Sequence, residues 1–337
     1  MLARRVSIDI VYQGVNISGS IANDLESFSY TDNARETADS ISITLKDDAG
    51  KWISTWAPEQ GDKIKASILT TNWRKEGDTQ KLDCGAFMVD EPEYAGRPRT
   101  LSLNAAALPS DNNFRDTTKS RTWENVTTKN LANDIASNAG LSLYYDTAKI
   151  FTISYLEQSE QADSAFLADV CSRYGLSLKI YNDRIVMFSE QEYEAREPIA
   201  SVTEEMTEGN WSAKKSLTGT GYDACVLTYT PPDSGQKLQY TFELNSSPKK
   251  ILRINQDVTS VAEAEIVAKA ELRKANTKQY TMTFTVPGNV DFIASSIIRV
   301  TGFGVFDSKY YIDKVDHSIG SKFTSSLELH RVLEGGY

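Results

Sequence analysis

The chain carries two histidines, His317 and His330, and they set the first limit on its chemistry. Imidazole works as a metal ligand or general base only with partners at fixed spacing. Neither His-Glu-x-x-His nor His-x-Glu occurs. Asp313 and Asp316 flank His317, but a strand of alternating charges reads as a solvated face. His330 would act as a base only beside a nucleophile, and the sequence marks none. Three cysteines, Cys84, Cys171 and Cys225, lie far apart among apolar or small neighbours. Lacking a Cys-x-x-Cys pair, they read as buried thiols of a protein assembled in a reducing compartment.

Other chemistry-bearing groups point the same way. Gly219-Thr220-Gly221 and Gly302-Phe303-Gly304 lack the following helix and Lys-Ser/Thr of a phosphate loop, so they read as turns or bulges. Carboxylates cluster at Asp90, Glu91 and Glu93, and again at Glu204, Glu205 and Glu208. A glycosidase needs an acid and a base ~5–10 Å apart across a cleft; clusters like these are the ordinary furniture of a surface. Calcium loops of EF-hand spacing are missing. Trp52, Trp56 and Trp73 could stack on sugars, anchor a protein interface or plug the end of a barrel. The sequence therefore assigns no catalytic, cofactor-binding or metal-binding residue, and the expectation is a protein that is not an enzyme.

The composition agrees. The 337 residues include 36 basic and 46 acidic side chains, a net charge of −10. Charge of that sign repels phosphate backbones and argues against sequence-specific nucleic-acid binding. The basic start, Met1 to Arg5, runs into the alternating Val6-Ser7-Ile8-Asp9-Ile10 rather than an apolar stretch, so no signal peptide is expected. Nothing approaches the ~18 apolar residues of a membrane-spanning helix.

The elements that would position these residues are mostly strands. Alternation marks residues 7–12, 25–30 and 40–45, and further strands fall at 63–69, 87–90 and 100–105. Six or seven short strands at near-even spacing predict a closed or nearly closed β-barrel over 1–108. The middle is different. Thr128 is placed to cap a helix bearing Leu131 and Ile135, stopped by Gly140 and followed by the strand 141–145. Ser164 is placed to cap a second, bearing Leu167, Val170, Cys171 and Tyr174, stopped by Gly175 and followed by the strand 176–181. Asp134, Ser137, Gly140, Leu141, Ser142 and Leu143 align without gaps on Asp169, Ser172, Gly175, Leu176, Ser177 and Leu178. Either a supersecondary unit is repeated, or helix–glycine–strand junctions simply look alike. Both readings predict two small α/β units, 109–150 and 151–213, the second ending in an acidic linker over 190–210. Residues 214–337 predict a second barrel. It contains a turn at Pro231-Pro232-Asp233-Ser234-Gly235 and one amphipathic helix over 259–275, opened by a Ser260/Glu263 capping box, with Val261, Ala264, Ala268 and Leu272 on one face. The fold class expected is α+β, predominantly β: two β-barrel domains flanking two small repeated α/β units.

Several of these segments resemble the hub proteins of contractile tails, the family of the phage late control gene D protein. They are residues 38–45 after the strand end Tyr30-Thr31-Asp32, residues 84–90, residues 166–178 and the late helix with Ala262-Glu263-Ala264-Glu265. The resemblance covers nearly the whole chain through patterns rather than invariant signatures. It implies a homotrimer whose six barrels make a pseudo-sixfold ring between a tail tube, or tube-initiator protein, and a trimeric spike or needle. Other baseplate proteins would be further partners. The location implied is the baseplate of a virion or phage-tail-like particle assembled in the bacterial cytoplasm. It supplies no catalytic residues and no cofactor. The runner-up expectations are a carbohydrate-binding or wall-degrading tail component, and the hub core of a type VI-like secretion spike.

Overall fold

A computed structural model describes residues 3–107, 112–229 and 237–337, so the turn expected at 231–235 lies outside the described residues. The molecule is mainly β, with 48% of residues in strands and 17% in helices. The N-terminal stretch forms β1 (Arg5–Tyr12), β2 (Val15–Asn16), the one-turn α1 (Ser18–Ile21), β3 (Leu25–Asn33), β4 (Ser40–Lys46), β5 (Lys63–Thr71), β6 (Thr79–Ala95) and β7 (Thr100–Ala106). The middle forms α2 (Asn112–Arg115), β8 (Thr118–Thr127), α3 (Thr128–Asn138), β9 (Ser142–Asp146), β10 (Thr152–Ala162), α4 (Asp163–Arg173), β11 (Ser177–Tyr181), β12 (Arg184–Phe188) and α5 (Glu190–Glu194). The remainder forms β13 (Ala200–Thr203), β14 (Ser212–Lys215), β15 (Ala224–Tyr229), β16 (Leu238–Glu243), β17 (Ile251–Asn255), α6 (Val261–Asn276), β18 (Tyr280–Pro287), β19 (Ile297–Thr301), β20 (Ser308–Ile319) and β21 (Phe323–Arg331).

The expected strand alternation holds: β3, β4 and β7 bury every second residue. Closure of each set into its own barrel is not what the strand pairing gives. The N-terminal set and β13, β14 and β18–β21 are joined in one 13-stranded sheet whose main path runs from β14 to β2. The join is β3 against β20, from Asn33 opposite Lys314 to Phe28 opposite Ile319. It arises because β20 is twelve residues long and shares one edge between two partners. Residues 308–311 pair with β19, and residues 314–319 pair with β3. Between them the register shifts at Asp313, a β-bulge that turns the strand from one neighbour to the next. An edge taken by β3 cannot close the C-terminal set on itself. Two cores underlie this sheet, and the N-terminal one includes Ile319 and Phe323 from the far set.

Two insertions, residues 112–194 and 224–276, build an α/β block on this sheet. The two aligned segments do not stand as separate units but contribute to one α/β block. β9 and β11 flank β12 in a single three-stranded sheet, and both helices feed one core around Leu131, Ile135, Leu167 and Val170. Both junctions need glycine for the same reason: Gly140 and Gly175 sit at φ +66° and +64°, where a β-carbon is strained. The caps fall one residue from expectation. Thr127, not Thr128, accepts from Asn130 N at 3.1 Å, and α4 begins at Asp163 without a side-chain cap. Beyond them β8 and β10 pair as a long antiparallel ribbon.

The capping box of α6 forms as expected, with Ser260 Oγ accepting from Glu263 N at 3.1 Å. Glu263 also accepts from Thr259 N at 2.7 Å and from Arg173 Nη2 at 2.8 Å, which ties α6 to α4. The packed face is Ala264, Val267, Ala268 and Leu272, against β15–β17, which form their own three-stranded sheet. Val261, expected on that face, is 72% exposed, because the first residue of a helix overhangs the sheet end. Removing the cap with Ser260→Ala is expected to cost about 1 kcal/mol, measured as a lower urea midpoint with an unchanged slope.

Candidate functional site

The acidic stretch 190–210, expected as a linker, is ordered. It holds α5, then β13, whose parallel pairing with β19 adds it to the sheet. Two of its glutamates turn inward. Glu190 and Glu194 are nearly buried and meet charged groups from the sheet and from α6. Glu204, Glu205, Asp90, Glu91 and Glu93 stay exposed, as expected of a surface.

The centre of this seam is His330, 2% exposed on β21. Its Nδ1 lies 2.7 Å from Asp313 Oδ2, and its Nε2 lies 3.0 Å from Glu194 Oε1. The bulge aims Asp313 at it. Arg273 Nη2 on α6 lies 2.6 Å from the same Glu194 oxygen. Arg35, from the β3–β4 loop, pairs with Glu190 on α5 and approaches Asp313 at 3.9 Å. Ser177 Oγ donates to Glu190 at 3.2 Å. Ionised carboxylates only accept hydrogen bonds, so an imidazole between two of them donates from both nitrogens and is a cation. Burial works against that charge. Asp313 and Glu194 outweigh it and hold the His330 pKa above its ordinary value. With both nitrogens engaged, His330 has no lone pair to offer a nucleophile.

A second charged joint lies beside the first. Lys179 on β11 pairs with Asp32, reaches Asp39 Oδ2 at 3.0 Å and donates to Asn33 O at 2.8 Å. Burial would lower its pKa; the two carboxylates raise it instead. Apolar packing across the seam is small: Ala34, Ala294, Ile297 and Tyr311 meet Phe188 and Tyr193. A cavity of about 480 Å³ follows the seam, lined by Arg35, Glu190, Arg273, Asp313 and His330 among others.

His317 corrects its own reading. It does not lie on a solvated face but is fully buried, stacked on Tyr30 with ring centroids 6.1 Å apart. Nε2 donates to Phe292 O at 3.0 Å, so Nδ1 accepts from Ser325 Oγ at 2.9 Å. Burial lowers its pKa and the ring is neutral. Ser325 resembles an activated nucleophile only in outline. It is itself fully buried, and it accepts from Asn289 N at 3.0 Å.

The three cysteines are buried thiols. The three tryptophans do not line one groove. Trp52 is in the core, Trp56 packs edge-on against it and is 45% exposed, and Trp73 donates to Gly288 O at 2.6 Å across the two strand sets. Trp56, Val15 and Tyr12 help line an apolar cup of about 460 Å³ at the edge of the N-terminal set. Among the described residues, no group of three or more His, Cys, Asp or Glu side chains is arranged to hold a metal. No described helix is long and apolar enough to cross a membrane.

The arrangement is a long sheet made of two strand sets, with an inserted block joined to it by charged contacts. This fold is one that phage tail proteins adopt. The 43 kDa tail protein of prophage MuSo2 from Shewanella oneidensis superposes with a TM-score of 0.72 at 13% identity, covering 97% of this chain and 98% of that one. A component of the Escherichia coli type VI secretion system superposes at 0.57 and 11% identity, covering 99% of this chain and 78% of that one. By sequence the chain is similar to probable baseplate hub proteins of two Escherichia phages. The probable baseplate hub protein of Escherichia phage 186 is 23% identical over 93% of this chain and 90% of its own length. That of Escherichia phage P2 is 30% identical over 48% of this chain and 39% of its own length. No protein-family model matches.

Proposed function

We propose that the chain is the structural hub of the baseplate of a contractile phage tail or phage-tail-like particle. Three copies form a ring. Each gives it two barrel-like strand sets, so six modules present a pseudo-sixfold face to the tail tube and a threefold face to the spike. The observation that carries this reading is the pair of strand sets in one chain, within a fold that matches a tail protein along its whole length. Contacts between unlike sets on neighbouring copies are heterologous and still close, as a ring requires. Partners are the chain itself, the tube or tube initiator, the spike and other baseplate proteins. No catalytic residue, cofactor, membrane or sequence-specific nucleic acid enters the role. Some of the net negative charge lines the channel, where it repels nucleic acid in transit.

Native mass spectrometry of the chain, alone and mixed with the spike protein encoded beside it, tests this. A trimer in the mixture is expected; a monomer in both samples sinks the ring. Release of peptidoglycan fragments by the purified chain would overturn the non-enzymatic part. A second reading, the hub core of a secretion spike, is favoured by the likeness to the type VI component. Capture of a tail-tube protein rather than a secretion tube separates the two.

A further inference from the structure

The seam between sheet and block is built mainly from charge, and that is unlike the rest of the interior. The sheet has its own apolar cores and so does the block. The cluster that spans them is small. Buried ion pairs add little net stability but fix how two bodies sit against each other. Small polar contacts within a chain are also where domains move. Of the groups in this seam, His330 is the one whose ordinary pKa lies near neutrality.

We propose that Glu194, His330 and Asp313 form a proton-operated latch that fixes the α/β block against the sheet. It holds while the imidazole is doubly protonated and lets go when one proton leaves. Losing that proton turns one nitrogen into an acceptor facing a carboxylate oxygen at 2.7 or 3.0 Å. Two acceptors at that distance repel. The remaining proton stays on Nδ1 at the shorter contact with Asp313, and the Nε2 contact with Glu194, which joins β21 to α5, opens while Glu194 keeps Arg273.

The surrounding charges are consistent with this. On β20, Asp313 contacts the ring and Tyr311 packs against it at 4.9 Å. Burial pushes the Tyr311 hydroxyl up, so it stays neutral. From α5 come Glu194 and Glu190, from α6 Arg273, from the β3–β4 loop Arg35, and from β21 itself Glu328, which pairs with Lys314. The pKa of Glu194 lies below its ordinary value: burial opposes this, but His330 and Arg273 outweigh it. A raised imidazole pKa gives stability that is complete below about 6.5 and lost as pH rises through the elevated value. A depressed carboxylate gives stability that is complete above about 4.3 and lost as pH falls through the lower value. The latch is therefore tightest in the mildly acidic window and opens on the alkaline side.

With two histidines in the chain, imidazole NMR on the intact protein reads the latch directly. His330 is expected to be protonated on both nitrogens at neutral pH and to titrate above about 6.5, while His317 stays neutral. Amide exchange, corrected for its intrinsic pH dependence, should show α5 and β21 losing protection about tenfold per unit from about 6.5 up to the midpoint, then levelling off. Amides in α4 and β12 should not follow. His330→Gln should leave α5 poorly protected at every pH. His330 titrating at or below the ordinary value, or α5 protection that ignores the midpoint, overturns the proposal. Both readings come from the native chain and stand even where the variant does not fold.

Discussion

Asp163→Ala lowers the stability of the α/β block by roughly 3–5 kcal/mol. Asp163 is fully buried at the start of α4. It pairs with Arg121, contacts Lys119 Nζ at 2.6 Å and accepts from Gln158 Nε2 at 3.0 Å. Arg121 and Lys119 stand on β8, and Gln158 stands where β10 bulges. One carboxylate thus pins the ribbon to the helix. Alanine leaves Lys119 and Arg121, whose side chains are only 18% and 25% exposed, without their carboxylate, and the cost lies in that orphaning rather than in the pair itself. Asp163→Asn keeps the shape and one acceptor and should lose less. Urea unfolding followed by far-UV circular dichroism measures both. A shift below about 1 kcal/mol for the alanine variant, the scale of an ordinary surface pair, would contradict the account.

Phe28→Ala costs about 3–5 kcal/mol and acts on the join between the two strand sets. The ring is fully buried, opposite Ile43 on β4 and Ile319 on β20. Truncation removes apolar area and leaves a cavity where the sets share a core, and the sheet on either side is too long to collapse into it. The expected record is a urea transition at lower midpoint, with the C-terminal set unfolding after the N-terminal one. A single unshifted transition would show that the join carries little.

Much of the local structure was readable in the residues, because alternation and capping are local. β3, β4 and β21 follow from period-two patterns, and α6 from Ser260 and Glu263. The β8–β10 ribbon went unread, since threonine, serine and glutamate fill its exposed positions and mimic a loop. Which strand pairs with which was not legible either: nothing within residues 308–319 says that its edge is divided between β19 and β3. The separate sheet of β15–β17 has the same cause. The seam stayed hidden because Glu190 and Glu194 sit in an acidic run that by composition belongs in water, and their partners lie up to 155 residues away in the case of Glu190 and Arg35.

Thr31 donates to Asp316 at 2.6 Å across 285 positions of sequence. At about 5–20 residues per second, a ribosome needs roughly 15–60 s to deliver the second of these after the first. Throughout that interval β3 waits with one row of amides and carbonyls unmatched, while the inserted block has all its own strands sooner. Newborn chains held close together on one messenger would thus be most prone to exchange β20 and β21 with each other during this delay, and slower translation would widen the opportunity.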